Sequence, residues 1–307
     1  MAGTACGQPV RPADPAGQVT GTGRSHPAEV AVGFDVRDVI EGAALLASTA
    51  NVIMQLARPP VGYGVVESTV EAGQVMWHPL RRLRSTIAYL SAAFLGTAEE
   101  RTFCRRQINR SHAHVRSTAD SPVRYNAFDP QLQLWVAACL YRGMIDVHTL
   151  LHGPPGEAVG DAIYHECRRV GTTLQVPEQM WPADRAAFER YWDAALAEVR
   201  IDPPVRDYLD RLMALDYLPR PLSAAFGPVN RFLTAGFLPP PFRAQMQVSW
   251  TQRDQQVFAV LIELVAVVNR LLPGPVSRFP FNACLHELRI RRLVTTGRWP
   301  ARQAERL

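Results

Sequence analysis

Apolar positions recur at three- and four-residue steps along most of the chain, the signature of helices with one buried face. Leu80, Leu83, Ile87, Leu90 and Phe94 form one such stripe, and Leu132, Trp135, Val136, Cys139, Leu140 and Val147 form a second. A third, more amphipathic, runs through Phe188, Tyr191, Trp192, Ala195 and Val199. Hairpin signals are almost absent. Proline does the punctuation: Pro59-Pro60, Pro154-Pro155, Pro203-Pro204 and Pro239-Pro240-Pro241 each mark a break between helical segments. No linker is long enough to separate domains, and no segment repeats. The pattern therefore predicts an all-α, single-domain helical bundle over residues 33–299. A disordered leader rich in Gly, Pro, Thr and Ala precedes it (residues 1–32), and a short tail follows (residues 300–307). The most apolar run, Val257 to Val268, is too short to span a bilayer and contains Glu263, so it reads as a buried core helix and no membrane span is expected. A carboxylate inside that helix calls for an Arg partner or a place in a polar pocket.

Composition narrows the function classes. Hydrophobic residues make up 47% and charged residues 20%, ordinary values for a globular protein. The net charge of +5 comes from 33 basic residues that are all Arg, set against 28 acidic ones. These arginines are scattered, form no basic block and belong to no nucleic-acid motif, so no nucleic-acid partner is expected. Cys6, Cys104, Cys139, Cys167 and Cys284 lie far apart with no CxxC pair, and no secretory leader precedes them. That usage fits a reducing compartment and a soluble cytoplasmic protein, without disulfides or a thiolate zinc site.

The segment that carries chemistry is GTAEERTFCRRQINRSHAHVRS, Gly96 to Ser117. Thr97 and Glu100 have the spacing of a capping box, so a helix should start near Ala98. Counting on from there, Cys104, Ile108, Ser111, His112 and Val115 share one face, whereas Arg106, Arg110 and His114 share another. His112 and His114 diverge by about 200° on a helix, so they cannot ligate one metal together. His112 points inward and His114 outward. A buried, neutral imidazole at 112 has a nitrogen suited to iron, and Arg116, four residues on, stands where it reaches an anion beside the ring. The alternative is a core histidine satisfied by its neighbours.

Other residues have simpler readings. Asp129 before Pro130 is a helix N-cap with proline at the first helical position. Tyr125 reads as a buried, hydrogen-bonded phenol. His165 and Glu166 resemble an acid–base pair but diverge by about 100° on a helix, leaving His165 as a minor pocket candidate. His78 and His148 are isolated and read as structural.

Several runs resemble the catalytic domain of the mpaB-type oxygenase and rubber oxygenase family. The run NRSHAHVR is followed by YNAFDPQLQLWV, and ALLASTANVIMQLARPPVGYGV, HPLRRLRSTIAYLSAAFLGT and RFLTAGFLPPPFRAQMQVSW occur in the family's order, from about Phe34 to Trp299. The resemblance implies an all-helical fold around a haem pocket, with haem b iron held by His112, Arg116 beside it, and O2 used to attack a carbon–carbon double bond in an isoprenoid chain. It also assigns Arg82 and Thr86 to the oxygen side of the haem, from an R-x-x-K-T run that reads Arg82-Leu83-Arg84-Ser85-Thr86 here. Ser85 stands where the family has a lysine, and the chain contains no Lys, so no lysine can close the distal iron position. The expected substrate is a small apolar lipid or terpenoid rather than an extracellular polymer. Hydroxylase or peroxidase chemistry on the same haem, or a haem-free scaffold that keeps the fold, are the alternatives.

Overall fold

This computed structural model describes residues 35, 39–70 and 75–295, and among them no strand forms. The leader and the tail lie outside the described residues. After a 3-10 turn at Gly42–Ala47 come α1 (Ser48–Leu56), α2 (Pro59–Val66), α3 (Pro79–Leu95), α4 (Ala98–His112), α5 (Pro130–His152) and α6 (Glu157–Thr172). These are followed by α7 (Arg185–Leu196), α8 (Pro203–Met213), α9 (Arg220–Phe237), α10 (Pro240–Gln245), α11 (Gln252–Leu271), α12 (Gly274–Ser277) and α13 (Phe281–Thr295). The proline pairs start helices: Pro59, Pro203 and Pro240 each occupy a first helical position, where no N–H is needed.

Capping explains the other boundaries. Thr97 accepts from the Glu100 N–H at 3.3 Å and its own N–H donates to Glu100 at 2.9 Å, the expected box. The Asp129 carboxylate accepts from the Gln131 N–H at 2.8 Å and starts α5 as the sequence predicts. At the other end of α5, Gly153 takes φ +83°, a conformation open to glycine at little cost.

The core is built around α5. It packs on α1, α6 and α11, while α6 lies between α5 and α3, and α3 in turn carries α4 and α13. Trp135 of α5 is fully buried, stacks on Trp192 at 5.4 Å and donates its indole N–H to Gln55 O at 3.0 Å. Tyr141 meets Phe188 edge-on at 4.6 Å. Such pairs add about 0.5–1.5 kcal/mol beyond their buried area. By length and composition α5 is the one described helix apolar enough to cross a membrane, yet its residues Leu134, Trp135, Ala138 and Cys139 are packed inside the bundle. Cys104, Cys139, Cys167 and Cys284 are free and buried.

Three expectations need correction. Leu80 and Leu83 of the first stripe are exposed, because α3 packs on α4, α6 and α13 only from Ile87 onwards. The Val257–Val268 run is not a buried core helix. Only Phe258, Ile262 and Ala266 face α5 and α9, while Val257, Val260, Leu264, Val267 and Val268 stand in solvent. Glu263 therefore sits at the surface and pairs with no arginine among the described residues.

Glu100 links local to global structure. Its carboxylate caps α4 and also accepts from Arg289 of α13 at 2.8 Å, with its side chain only 4% exposed. Burial alone would raise its pKa, but the Arg289 hydrogen bond and the Thr97 N–H outweigh burial and hold it below the usual carboxylate range. Replacing Glu100→Gln should cost about 2 kcal/mol, seen as a lower urea midpoint at unchanged slope. An unchanged midpoint would show that the pair contributes nothing.

Candidate functional site

His112 is the last residue of α4, on the face that also carries the buried Cys104 and the half-buried Ile108 and Ser111. Arg106, Arg110 and His114 are exposed, as the helical spacing predicts. The His112 ring meets Phe128 edge-on, with centroids 6.2 Å apart. Neither ring nitrogen has a hydrogen-bond partner among the described residues, and Nδ1 is fully enclosed. Burial, followed by the positive charge of Arg82, lowers its pKa to about 4. The imidazole is thus neutral at physiological pH.

The loop after His112 is held tightly. The chain turns extended, Arg116 bridges to Asn126, Ser117 N–H donates to Tyr125 O at 2.9 Å and Ala127 N–H to Val115 O at 3.0 Å. Glu67, just past α2, accepts from Ser121 Oγ at 2.6 Å and from the buried Tyr125 hydroxyl at 2.7 Å. Tyr125 is the buried, bonded phenol expected from sequence. The loop geometry corrects the reasoning for Arg116. Because α4 ends at His112, Arg116 is not one helical turn further on; it is exposed and donates to Ala113 O at 2.9 Å.

Arg82 of α3 faces the histidine from another element. It presents surface to solvent, yet enough protein surrounds it for desolvation to lower its pKa. No described carboxylate pairs with it. Tyr208 of α8 lies within electrostatic reach of Arg82: burial raises its phenol and Arg82 pulls the other way. Thr86 and Ser85 both donate their hydroxyls to the Arg82 carbonyl, at 3.0 and 2.9 Å. The Thr86 proton is therefore committed to its own helix.

The structure thus brings His112, Arg82, Tyr208 and Phe128 together and leaves Arg116 at the surface. Sequence reasoning missed Tyr208 and Phe128. Tyr208 sits on the same flank as Val205, Leu209 and Leu212 of an amphipathic helix, where nothing marks it out from a core aromatic. His165 is exposed and contacts Arg168, so it is not a pocket residue. Two surface clefts lie elsewhere. One, of about 620 Å³, is lined by Arg206, Asp210, Arg231 and Trp250; the other, of about 400 Å³, lies between the end of α5 and α11. Neither includes His112.

No group of three or more His, Cys, Asp or Glu gathers among the described residues. A lone neutral imidazole cannot cage a bare ion, which needs three or four protein ligands. It does suit a metal whose other ligands come with a prosthetic group. The half-buried ring of His112, without a hydrogen-bond partner among the described residues, fits that donor role, although Nδ1 lacks the carbonyl partner that commonly orients such a ligand.

Helical architecture and this single enclosed imidazole define the class of site. Over residues 37–267 the sequence matches the family described as ER-bound oxygenase mpaB/B'/Rubber oxygenase, catalytic domain, and the chain belongs to that family. It is also similar to two uncharacterized mycobacterial proteins, Rv2237 of Mycobacterium tuberculosis (strain ATCC 25618 / H37Rv) and Mb2261 of Mycobacterium bovis (strain ATCC BAA-935 / AF2122/97). Each is 50% identical over 247 residues, which is 80% of this chain and 97% of the relative. No solved structure matches the chain.

The depressed pKa of His112 has a consequence for stability. The fold favours the neutral ring, so this contribution is present above pH 6.5 and is lost as pH falls through about 4. Its size is at most about 3 kcal/mol, less whatever solvent screening removes. In cofactor-free protein, the denaturation midpoint should fall more steeply from pH 7 to 4 in wild type than in His112→Leu. Parallel falls would refute the assignment.

Proposed function

We propose that this chain is a haem b-dependent oxygenase of the cytoplasm, using O2 on an apolar, unsaturated small molecule of isoprenoid or lipid type, with His112 as the iron ligand. The observation that carries the reading is the His112 ring itself: half-buried, neutral and without a hydrogen-bond partner on either nitrogen among the described residues. Membership of an oxygenase catalytic-domain family supports the reaction class.

Bound haem would supply the activation of O2, chemistry that no side chain here offers alone. The residues of the chain do the rest. His112, at the end of α4, would hold the iron, and Phe128 meets its ring edge-on. Arg82, lacking a carboxylate among the described residues, would be the cation best suited to hold a propionate or a developing negative charge near that ring. Arg116 takes a role in haem anchoring only by releasing Ala113. Thr86 has already given its proton to Arg82 O, so its hydroxyl would meet a further partner only as an acceptor. Ser85 likewise donates to Arg82 O and brings no amine that would ligate a bound haem. Phe128 and the half-buried Tyr208 add apolar surface, suited to excluding water around a hydrocarbon substrate.

The test is the absorption spectrum of protein expressed with ample haem, wild type beside His112→Ala. A Soret band in wild type that is lost or shifted in His112→Ala is the expected result. Colourless wild-type protein after haem reconstitution would overturn the proposal and leave a haem-free scaffold. Product formation that needs peroxide rather than O2 would keep the haem and replace the reaction.

A further inference from the structure

α11 is apolar on two opposite faces. One of them, Phe258, Ile262 and Ala266 with the buried Asn269, packs on α5 and α9. A Cβ at Gly236 of α9 would fall 2.2 Å from the Phe258 ring, so glycine there lets the two helices approach. The other face is Val257, Val260, Leu264, Val267 and Leu271, with exposures running from 44% at Val267 to 79% at Leu271. Their steps of three, four, three and four residues trace an a/d seam, the pattern that a second helix fills. Exposed Val268, Leu272, Val276 and Phe279 widen the patch. Each of these nine large apolar residues is at least 39% exposed, an apolar run of the kind that marks an interaction surface rather than the scattered apolar residues usual on a monomer.

We propose that this face is the interface of a homodimer in which α11 packs antiparallel on α11 of a second copy, across a two-fold axis. The seam is self-complementary: Leu264 layers against Val267 of the partner subunit, and Leu271 against the partner's Val260, so each layer pairs a larger with a smaller side chain. Charge selects this register. Glu263 and Arg270 lie seven residues apart along one edge of the seam, both exposed and neither ion-paired with a described residue. In the stated register Glu263 falls beside the partner's Arg270, and the two-fold axis repeats the pair. Sliding to set Leu264 against the partner's Val260 would bring Glu263 beside the partner's Glu263, which repel. Parallel packing would set Glu263 beside Val268 and make no ion pair. An isologous contact of this kind closes at two copies.

Sedimentation velocity of the full chain over a micromolar concentration series tests this. Wild type should sediment as a dimer and Leu264→Glu as a monomer, with an unchanged melting profile at low concentration because Leu264 is exposed. Glu263→Arg and Arg270→Glu should each weaken the dimer by about tenfold or more, and the double exchange should restore it. Failure of the double exchange to restore the dimer would overturn the antiparallel register. A wild-type monomer throughout would overturn the proposal. So would a wild-type monomer that floats with phosphatidylcholine–phosphatidylglycerol vesicles, which would assign the face to a bilayer instead.

Discussion

The double duty of Glu100 is the constraint on which the site depends. One carboxylate closes the first turn of α4 and, through Arg289, fixes that helix to α13, which lies against α3. His112 stands at the far end of the same helix and Arg82 stands on α3. The separation of ring and guanidinium is therefore set by a triangle of helices whose corner is the pair of a buried carboxylate with a half-exposed arginine. A second tie, from Glu67 to Ser121 and Tyr125, holds the loop that leaves His112. Ring orientation is fixed from both sides, as a ligand needs when its own nitrogens make no hydrogen bond.

Burial and charge act in the same direction on His112. Desolvation disfavours the imidazolium and Arg82 adds repulsion, so the ring keeps its lone pair. Arg82 in turn is exposed, has no described counter-charge and has its pKa lowered by the protein around it, so it is available to an anion. The two groups lie within electrostatic reach of one another, and each is of the kind that a metal-bearing, anionic prosthetic group would satisfy. An acidic partner for either would have made a self-contained salt bridge and no site.

Much of the fold is legible in the sequence because helices are locally encoded. The capping box at Thr97, the Asp129–Pro130 start and the proline pairs mark their helices without help from tertiary structure. The inward turn of His112 follows from its spacing to Cys104 and Ile108. Where the helix stops is less legible: no proline or glycine follows Ala113 until Pro122, and pairing with the Tyr125–Ala127 stretch draws Arg116 into an extended loop. Periodicity also says which residues share a face but not whether a neighbour covers it, which is why the pattern alone puts Leu80, Leu83 and the Val257–Val268 run inside. Tyr208 and Phe128 reach the site from distant stretches of the chain, through packing that no local pattern records. Spacing alone reads His112 more readily as a core residue than as a ligand; what tips it is the ring without a hydrogen-bond partner among the described residues, together with family membership.

The four buried cysteines carry a consequence for durability. Burial pushes the Cys104 thiol up to about 11 and drives the Cys139 and Cys167 thiols well above their ordinary range. Oxidants react with the thiolate, and at neutral pH only roughly one Cys104 in ten thousand would be in that form. Cys104 lies two turns from His112 on the same face of α4, so it would stand near the chemistry if the family's oxygenase activity is centred on that histidine. A methionine or an accessible thiol there would be consumed over successive turnovers; a sealed, protonated one lets the helix that aims the histidine outlast the chemistry beside it.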